Sequence, residues 1–523
     1  MKKSTAYGFC LLVIAFAALA FRLFDLGQRP MHHDEANQAV RTGLLLETGE
    51  YRYDPHEHHG PTLYYFSLPI IRLTAGSIFA NTTEFSFRLL PVIFGVGLIL
   101  LLYLVHDGLG RPATIATAVL TAVSSAMAYY NRFYIQETLL VFFTFGTIAA
   151  GWRYLKKPSA FRAIITGLFI GLMHATKETC VIAYGAIFLA MLGSRSQESG
   201  VRSQESKVVW HVAAALGTAV VVSVLFYSSF FTNWQGAIDS IKTYMIYLGR
   251  AGGDELTELP PWYYYLQILT FVKDSGGLIW SEAFILVLAL AGFVTAWIPR
   301  SDQLPARGLH RFFALYTIIM ILAYSVIPYK TPWSMLSLLH GLIILAGIGA
   351  VVLFKMLKTD KARILVGILL AAGVSHLIYQ TCLANYKYPA DKRNPYAYVQ
   401  TSKDFLKLIQ RIEDIADIHP RGRNMFIEVI APTEDMWPLP WYLRKFTKVG
   451  YWTNTDDLPE GVEPAIIIAS PDIKEIFYPE TPSRYQMEYY ELRPGRILAL
   501  FVKNYLANAE ENRKLPARPA SPD

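Results

Sequence analysis

Eleven apolar stretches, most of them about as long as a lipid bilayer is thick, dominate this 523-residue sequence. A transmembrane helix needs about 20 predominantly apolar residues. The sequence therefore predicts a polytopic α-helical membrane protein with about 11 transmembrane helices. The predicted spans cover residues 6–24, 88–105, 113–130, 137–152, 162–177, 179–193, 208–230, 277–298, 312–328, 333–354 and 364–383.

A further apolar run, residues 61–79, is predicted to lie along the membrane surface as a juxtamembrane helix. It carries Arg72 near its middle, and an arginine at mid-bilayer costs about 2.5–3.5 kcal/mol on insertion scales. If this run does not cross, all the short basic loops fall on one side, which is cytoplasmic by the positive-inside rule. The N-terminus is then cytoplasmic, whereas loop 25–87 and everything after about residue 384 are extracytoplasmic.

Composition supports an integral protein of the plasma or inner membrane. Hydrophobic residues make up 53% of the chain and charged residues only 17%, whereas about a quarter of a soluble domain is charged. Basic cytoplasmic loops explain the net charge of +7, so no nucleic-acid partner is predicted. The N-terminal run ending Ala18-Leu19-Ala20 also resembles a cleavable signal peptide. Because apolar residues continue to Phe24, we favour an uncleaved anchor.

The last part of the chain has the composition of a soluble domain. Its helical or strand-like patterns occupy residues 405–415, 425–430, 465–469, 485–492 and 496–502, the last two forming a predicted hairpin around Pro494-Gly495. We predict a membrane domain over residues 1–384 and a small extracytoplasmic α/β domain over residues 385–508. The charged, proline-containing residues 509–523 are predicted to be a disordered tail.

The acidic pair Asp34-Glu35 follows the first span, in the stretch Pro30-Met31-His32-His33-Asp34-Glu35-Ala36-Asn37. Hydrated carboxylates at this place belong at the membrane surface or at a water-filled mouth. One interpretation is structural: the acids favour the N-terminus of a helix. The other is catalytic: a carboxylate takes a proton from an acceptor hydroxyl during group transfer. The pair alone does not decide between them.

Histidines are concentrated in the same region, since five of the twelve lie between residues 32 and 59. The pattern His56-x-His58-His59 lacks the i, i+4 spacing of a helical metal site and has no neighbouring cysteine. We favour hydrogen-bonding roles for His33, His58 and His59. Ligation of a divalent cation, Mg²⁺ or Mn²⁺, by one of them stays open.

Four further polar residues lie at predicted outer turns. Glu137 is the acid of the second outer loop and has the structural alternative of a helix-terminal acid paired with Arg132. Arg132, Lys177 and Lys330 are candidates for binding a phosphate group. For Lys177, pairing with Glu178 or snorkelling is the simpler explanation. Lys330 lies between Pro328 and Pro332, which restrict the backbone around it.

These motifs together resemble those of GT-C glycosyltransferases of the protein O-mannosyltransferase and aminoarabinose transferase kind. The resemblance rests on the acidic pair, His59-Gly60-Pro61-Thr62-Leu63-Tyr64-Tyr65, Phe87-Arg88-Leu89-Leu90-Pro91, Tyr134-Ile135-Gln136-Glu137, Ala175-Thr176-Lys177-Glu178 and Ile327-Pro328-Tyr329-Lys330-Thr331-Pro332-Trp333. It covers most of residues 5–385 and is greatest to the flippase-activity-associated branch. His59 departs from the pattern, because aminoarabinose transferases have a Glu-Lys pair before the proline.

The resemblance implies an enzyme that moves a sugar from a polyprenyl-phosphate carrier to a glycan, lipid or protein acceptor on the outer face. It matches Asp34 to the first-loop aspartate that acts as base or acceptor-positioning group, and Glu137 to the second-loop acid. We therefore predict a hexosyltransferase-like enzyme of protein or cell-surface glycosylation, with membrane lipids around it. The alternative is a translocator of lipid-linked sugars, or its accessory, without transferase activity. Against it, the charged residues cluster on one face rather than at mid-membrane, where transporters bind their cargo.

Overall fold

The computed structural model of the protein describes residues 2–57, 59–194, 205–251, 260–274, 276–298, 307–456, 458, 461, 463–471 and 484–514. Helices dominate residues 2–382. They are α1 (Lys2–Leu23), α2 (His33–Thr48), α3 (Thr62–Ala75), α4 (Glu84–Leu101), α5 (His106–Leu109), α6 (Arg111–Val123), α7 (Ser125–Tyr130), α8 (Glu137–Lys156), α9 (Ala160–His174), α10 (Cys180–Ser194), α11 (Glu205–Tyr227), α12 (Trp234–Ala251), α13 (Tyr264–Thr270), α14 (Ala283–Trp297), α15 (Arg307–Val326), α16 (Leu336–Met356) and α17 (Asp360–Cys382).

Each predicted span overlaps at least one of these helices. Within the part of the chain that the structure describes, seven helical segments are long and apolar enough to cross a membrane, and α6, α9, α10 and α14 are shorter apolar helices. The predicted span 113–130 is not one helix, because α6 ends at Val123 and α7 begins at Ser125. Ser124 causes the break: its side chain caps α7 by accepting from the Met127 N–H.

Helix α16 is the centre of the bundle and is almost wholly buried. It packs tightly against α14 because small residues line the contact. A Cβ added at Gly292 would lie 2.0 Å from the Leu345 carbonyl oxygen, and one added at Gly349 would lie 2.0 Å from the Leu288 carbonyl oxygen. Close backbone approach at small residues is how membrane helices associate, because lipid removes the hydrophobic drive between them.

Residues 403–514 form a mixed five-stranded sheet with helices. The elements are α18 (Lys403–Ile418), β3 (Ile427–Ile430), α19 (Thr433–Met436), α20 (Leu439–Tyr442), β4 (Val449–Trp452), β5 (Ile466–Ala469), β6 (Tyr485–Arg493), β7 (Arg496–Lys503) and α21 (Asn504–Lys514). The strand order is β4-β3-β5-β7-β6, with β3 parallel to β4 and β5. The predicted hairpin is confirmed, since β6 and β7 pair antiparallel. A small hairpin pairs β1 (Val272–Lys273) with β2 (Ile279–Trp280), and its second strand occupies the start of predicted span 277–298.

The predicted disordered tail is wrong for residues 509–514, which belong to α21. Leu506 and Ala507 of this helix are buried in the core beneath the sheet, and the following Glu, Arg and Lys residues favour helix. The helix therefore continues beyond the point where the composition becomes polar. Residues 515–523 lie outside the described residues.

Helix α3 spans 14 residues, or about 21 Å at 1.5 Å per residue, which is short of a bilayer core of about 30 Å. We expect a cysteine at the exposed position Pro112 to be shielded from an impermeant reagent in intact cells, after Cys10, Cys180 and Cys382 have been replaced. Gln28→Cys, on the other side in this topology, should be labelled. Labelling of Pro112→Cys from outside would mean that the α3 segment crosses.

Candidate active site at the start of helix α2

Helix α2 begins with a capping box that includes the acidic pair. The His32 imidazole Nδ1 accepts from the Asp34 N–H at 3.0 Å, and Glu35 Oε2 accepts from the His32 N–H at 3.1 Å. This reciprocal arrangement satisfies two N–H groups that an unfinished helix end leaves without partners. The helix start, and with it the position of Asp34, is therefore fixed.

Glu35 is completely buried and holds several parts of the chain together. Its carboxylate accepts two hydrogen bonds from Arg88, Nε to Oε1 and Nη2 to Oε2, both at 2.8 Å. It also accepts from Arg29 Nη2 at 3.1 Å and from the Tyr134 N–H at 2.9 Å. Burial alone raises the pKa of Glu35, but the charges of Arg29 and Arg88 and these hydrogen bonds outweigh it and lower the pKa to about 2.

Asp34 lies in a different environment from its neighbour. Its side chain is 39% exposed, and its Oδ2 lies 3.8 Å from His32 Nδ1, which is too far for a hydrogen bond. Among the residues that the structure describes, none donates a hydrogen bond to this carboxylate. A rigidly positioned backbone with an uncommitted carboxylate at the surface is suited to accept a proton from an incoming group.

Aromatic side chains pack around His32, two residues before Asp34. The His32 ring packs against Phe133 and Trp333, with ring centroids 5.3 and 5.6 Å apart, and Trp333 packs against Tyr398 at 5.8 Å. His32 Nε2 also lies 3.2 Å from the Tyr398 carbonyl oxygen. We call the surface formed by Asp34, His32, Trp333 and Tyr398 the Asp34 mouth. It combines residues from the first loop, the turn before α16 and the segment before α18.

The segment after α17 holds the first loop in place. Gln400 donates to the Pro30 carbonyl oxygen at 2.9 Å, and Thr401 donates to the Met31 carbonyl oxygen at 2.7 Å. The Tyr442 hydroxyl accepts from the Met31 N–H at 2.9 Å. The residues directly before the capping box are therefore bound by side chains nearly 400 positions later in the sequence.

A second polar cluster connects the loop before α3 with the turn before α10. The Lys177 ammonium donates to Glu137 Oε1, and both side chains are buried. His59 Nδ1 lies 3.1 Å from Glu178 Oε2. Burial opposes the charged form of each group, but Glu137 raises the pKa of Lys177 and His59 lowers that of Glu178. The predicted outer-loop acid and one predicted phosphate ligand thus neutralise each other.

Gly60 allows these two loops to touch. A Cβ added there would lie 2.3 Å from the Ala175 carbonyl oxygen, so only glycine fits without a backbone shift. Beside it, the Thr62 N–H donates to the same oxygen at 3.1 Å, and the Thr62 and Thr176 hydroxyls are 2.8 Å apart. The motif around Gly60 therefore serves close packing.

The remaining predicted site residues are not gathered at one point. The Arg132 guanidinium donates to the carbonyl oxygens of Phe24 and Asn385. Lys330 lies three residues before Trp333 of the Asp34 mouth. Its ammonium donates to the Ile327 carbonyl oxygen, and burial lowers the pKa of Lys330.

Of the predicted histidines His33 and His58, the structure describes only His33. The His33 ring lies 6.1 Å from that of Trp437, and burial lowers its pKa. His58 lies outside the described residues. The sequence interpretation missed Arg29 and Tyr398. One signal was available: Arg88 opens a predicted span, and a charged residue in a membrane segment usually has an oppositely charged partner.

The described residues include no group of three or more His, Cys, Asp or Glu side chains that could hold a metal ion. Lys177 already neutralises Glu137. The Glu35 carboxylate next to Asp34 in the sequence is bonded to Arg88 and Arg29. The described donors therefore do not form a preformed divalent-cation site.

Comparison with known proteins identifies the fold. Residues 59–227 match the family model of dolichyl-phosphate-mannose-protein mannosyltransferase. The structure resembles ArnT from Cupriavidus metallidurans bound to undecaprenyl phosphate, with 12% identity, a TM-score of 0.60 and coverage of 94% of this chain and 97% of ArnT. A search of curated protein sequences gave no match.

The structure also resembles two structures of the oligosaccharyltransferase of Archaeoglobus fulgidus. One, AglB with an inhibitory peptide and a dolichol-phosphate, has 11% identity and a TM-score of 0.57, covering 99% of this chain and 75% of AglB. The other, tethered to an acceptor peptide, has 13% identity and a TM-score of 0.55, covering 85% of this chain. This chain spans 63% of the length of that structure.

The structure thus has the fold of the ArnT and AglB structures, and it contains seven described helical segments that are long and apolar enough to cross a membrane. The match to the mannosyltransferase family model covers about a third of the chain, residues 59–227. The matches do not support the narrower resemblance to the flippase-activity-associated branch.

Proposed function

We propose that the protein transfers a sugar, of hexose type, from a polyprenyl-phosphate carrier to an acceptor on the extracytoplasmic face. ArnT binds undecaprenyl phosphate and AglB binds a dolichol-phosphate in the structures above, and this chain shares their fold. The observation that carries the proposal is the contrast within the acidic pair. Glu35 fixes the loop from inside, while Asp34 presents a carboxylate without a hydrogen-bond donor among the described residues.

In this mechanism Asp34 is the general base. The acceptor hydroxyl oxygen attacks the anomeric carbon and forms the new glycosidic bond, while its proton passes to the Asp34 carboxylate. The bond between the anomeric carbon and the phosphate oxygen breaks, and the carrier phosphate leaves with the electron pair. Attack from the face opposite the phosphate inverts the configuration at the anomeric carbon.

Lys330 is the proposed cation for the departing phosphate. It lies in the turn that ends at Trp333 of the Asp34 mouth, and its side chain is bonded only to a backbone carbonyl oxygen of a described residue. A positive charge placed where negative charge develops lowers the barrier. Lys177 is less suitable because Glu137 already neutralises it. Glu35 acts as a positioning residue, since a fully buried carboxylate cannot touch the acceptor.

Two lysine variants separate these roles. We expect Lys330→Met to weaken apparent donor affinity by about tenfold or more, because a charge-assisted hydrogen bond contributes roughly 1.5–3 kcal/mol. Lys177→Met should instead lower thermal stability, because it leaves Glu137 buried without its partner. Lys242→Met, at an exposed lysine, is the control. Unchanged donor affinity of Lys330→Met would contradict the phosphate role.

The proposed activity is tested by mass spectrometry of surface glycans and lipid-linked sugars in a deletion strain. Transfer predicts the loss of one sugar from the surface and accumulation of its carrier in both leaflets. Accumulation restricted to the inner leaflet would instead indicate translocation and would reject the transferase proposal. Complementation by the wild-type gene provides the control.

A further inference from the structure

Helix α12 presents its large apolar side chains outward, away from the protein. These side chains are 55–78% exposed and belong to Trp234, Ile238, Ile241, Met245 and Leu248. Their spacing of four, three, four and three residues places them on one face of the helix. We call this face the α12 stripe. Contiguous apolar surface of this kind marks a protein or membrane interaction site.

The opposite face of α12 packs against the rest of the protein, although its residues are small or polar. Ser240 and Thr243 are buried. A Cβ added at Gly236 would lie 2.1 Å from the Tyr227 carbonyl oxygen, so the start of α12 lies directly against the end of α11. A helix at a water-exposed surface has its apolar side inward and its polar side outward. The order is reversed in α12, as expected where the outer side meets lipid.

The α12 stripe continues an exposed apolar flank of helix α11. Helix α11 is long and apolar enough to cross a membrane, and its Val220 and Val221 side chains are both 62% exposed. Between the two helices, Phe230 and Phe231 are also exposed, and the Phe231 ring lies 5.3 Å from that of Trp234. Aromatic side chains at the end of a span are typical of the membrane–water interface. The stripe therefore begins at the depth where the bilayer surface is expected.

A polar row borders the stripe on one side. The Gln235 amide and the Lys242 ammonium donate to the same Asp239 oxygen, Oδ1, at 2.8 and 3.1 Å. The Lys242 side chain is 58% exposed. A helix that lies in the membrane surface combines an apolar face at the headgroup–acyl boundary with polar residues that stay in water. Helix α12 is not among the described segments that are apolar enough to cross a membrane, so its pattern is that of a surface helix.

We propose that α12 is an interfacial anchor whose stripe is buried in the outer leaflet of the membrane. The outer leaflet is the partner because α11 contains the seventh predicted span, counted from a cytoplasmic N-terminus. On the opposite face, the Thr243 hydroxyl donates to the Pro55 carbonyl oxygen at 3.4 Å, and the Tyr247 hydroxyl lies 3.0 Å from His59 Nδ1. The anchor thus connects the segment before α3 to the lipid surface. It does not depend on the proposed sugar transfer.

Fluorescence quenching in phospholipid nanodiscs tests the anchor on the full-length protein, after Cys10, Cys180 and Cys382 have been replaced. Single cysteines at Met245→Cys and Leu248→Cys carry a bimane label on the stripe, and Lys242→Cys in the polar row is the matched control. All three positions are well exposed, so the label disturbs little packing. Lipids brominated on their acyl chains report contact with the bilayer, and aqueous iodide reports contact with water.

Brominated lipid should quench both stripe positions about threefold or more over the Lys242 position, because the apolar face of an interfacial helix lies about 5–10 Å into the boundary. Iodide should quench in the reverse order. Preferential quenching of the stripe by iodide, or equal quenching of all three positions by lipid, would overturn the proposal. Protection of the stripe from both reagents would also overturn it, since protein would then cover this face. In intact cells an impermeant maleimide should label Lys242→Cys, and its failure to do so would exclude the outer leaflet.

Discussion

Replacing Asp34 by asparagine is expected to reduce sugar transfer by about 10²–10⁴-fold, the range for loss of a general base. The change is nearly isosteric and leaves the Asp34 N–H bonded to His32, so the capping box persists. Folding should change by about 1 kcal/mol at most, because asparagine and aspartate are similarly favourable at helix starts. The measurement is transfer from a polyprenyl-phosphate sugar with purified protein, beside its thermal denaturation midpoint.

Donor binding distinguishes a catalytic from a structural role for Asp34. It should persist in Asp34→Asn, since the carboxylate is proposed to act on the acceptor. Near-normal transfer by this variant, together with normal binding, would show that another group is the base. The translocator alternative would then gain, because a translocator needs no base at this position.

The largest loss of stability is expected for Glu35→Gln. The variant keeps the size of the side chain but leaves Arg88 and Arg29 without their buried counter-charge. Breaking a buried ion pair from one side costs about 3–5 kcal/mol. The thermal denaturation midpoint in detergent should fall well below those of the wild type and Asp34→Asn. A midpoint equal to that of Asp34→Asn would contradict the structural role of Glu35.

A double variant and a pH series test the same group. Glu35→Gln with Arg88→Met should lose less stability than the sum of the two single variants, because no unpaired partner of this contact remains.

Folding lowers the pKa of Glu35 from 4.5 to about 2, so the contribution of Glu35 to the free energy of unfolding is complete above about pH 4.5. It should be lost as the pH falls toward 2. The Glu35→Gln variant should lack this component of the acid sensitivity.

Local sequence signals predicted those features that depend on neighbouring residues. Helix α18 covers the predicted helical stretch, and β3, β5, β6 and β7 coincide with short apolar or alternating runs. The start of α2 at His33 also agrees with the expectation that Asp34 stands at a helix N-terminus. Each of these signals is contained within about ten residues, so the sequence alone reveals it.

These local signals could not predict ion pairs between residues that are far apart in the sequence. Glu35 meets Arg88, 53 positions away, and Lys177 meets Glu137, 40 positions away. Which acid meets which base depends on how the helices pack, and no local pattern encodes that. Because successive helical residues point about 100° apart, the sequence predicts different tasks for the two acids. Only the tertiary structure shows that Glu35 is an internal anchor and that Asp34 stays at the surface.

The hydrogen bonds from Gln400, Thr401 and Tyr442 to the first loop have a consequence for biogenesis. Pro30 and Met31 emerge early from the ribosome, yet their partners Gln400, Thr401 and Tyr442 are made some 370–411 residues later. Domains generally begin to fold from the N-terminal end during synthesis, but this loop cannot acquire all of these hydrogen bonds until Tyr442 has been made. A nascent or prematurely terminated chain would thus contain Asp34 without the contacts that position it. Synthesis of residues 400–442 is therefore required before the proposed base is held in position.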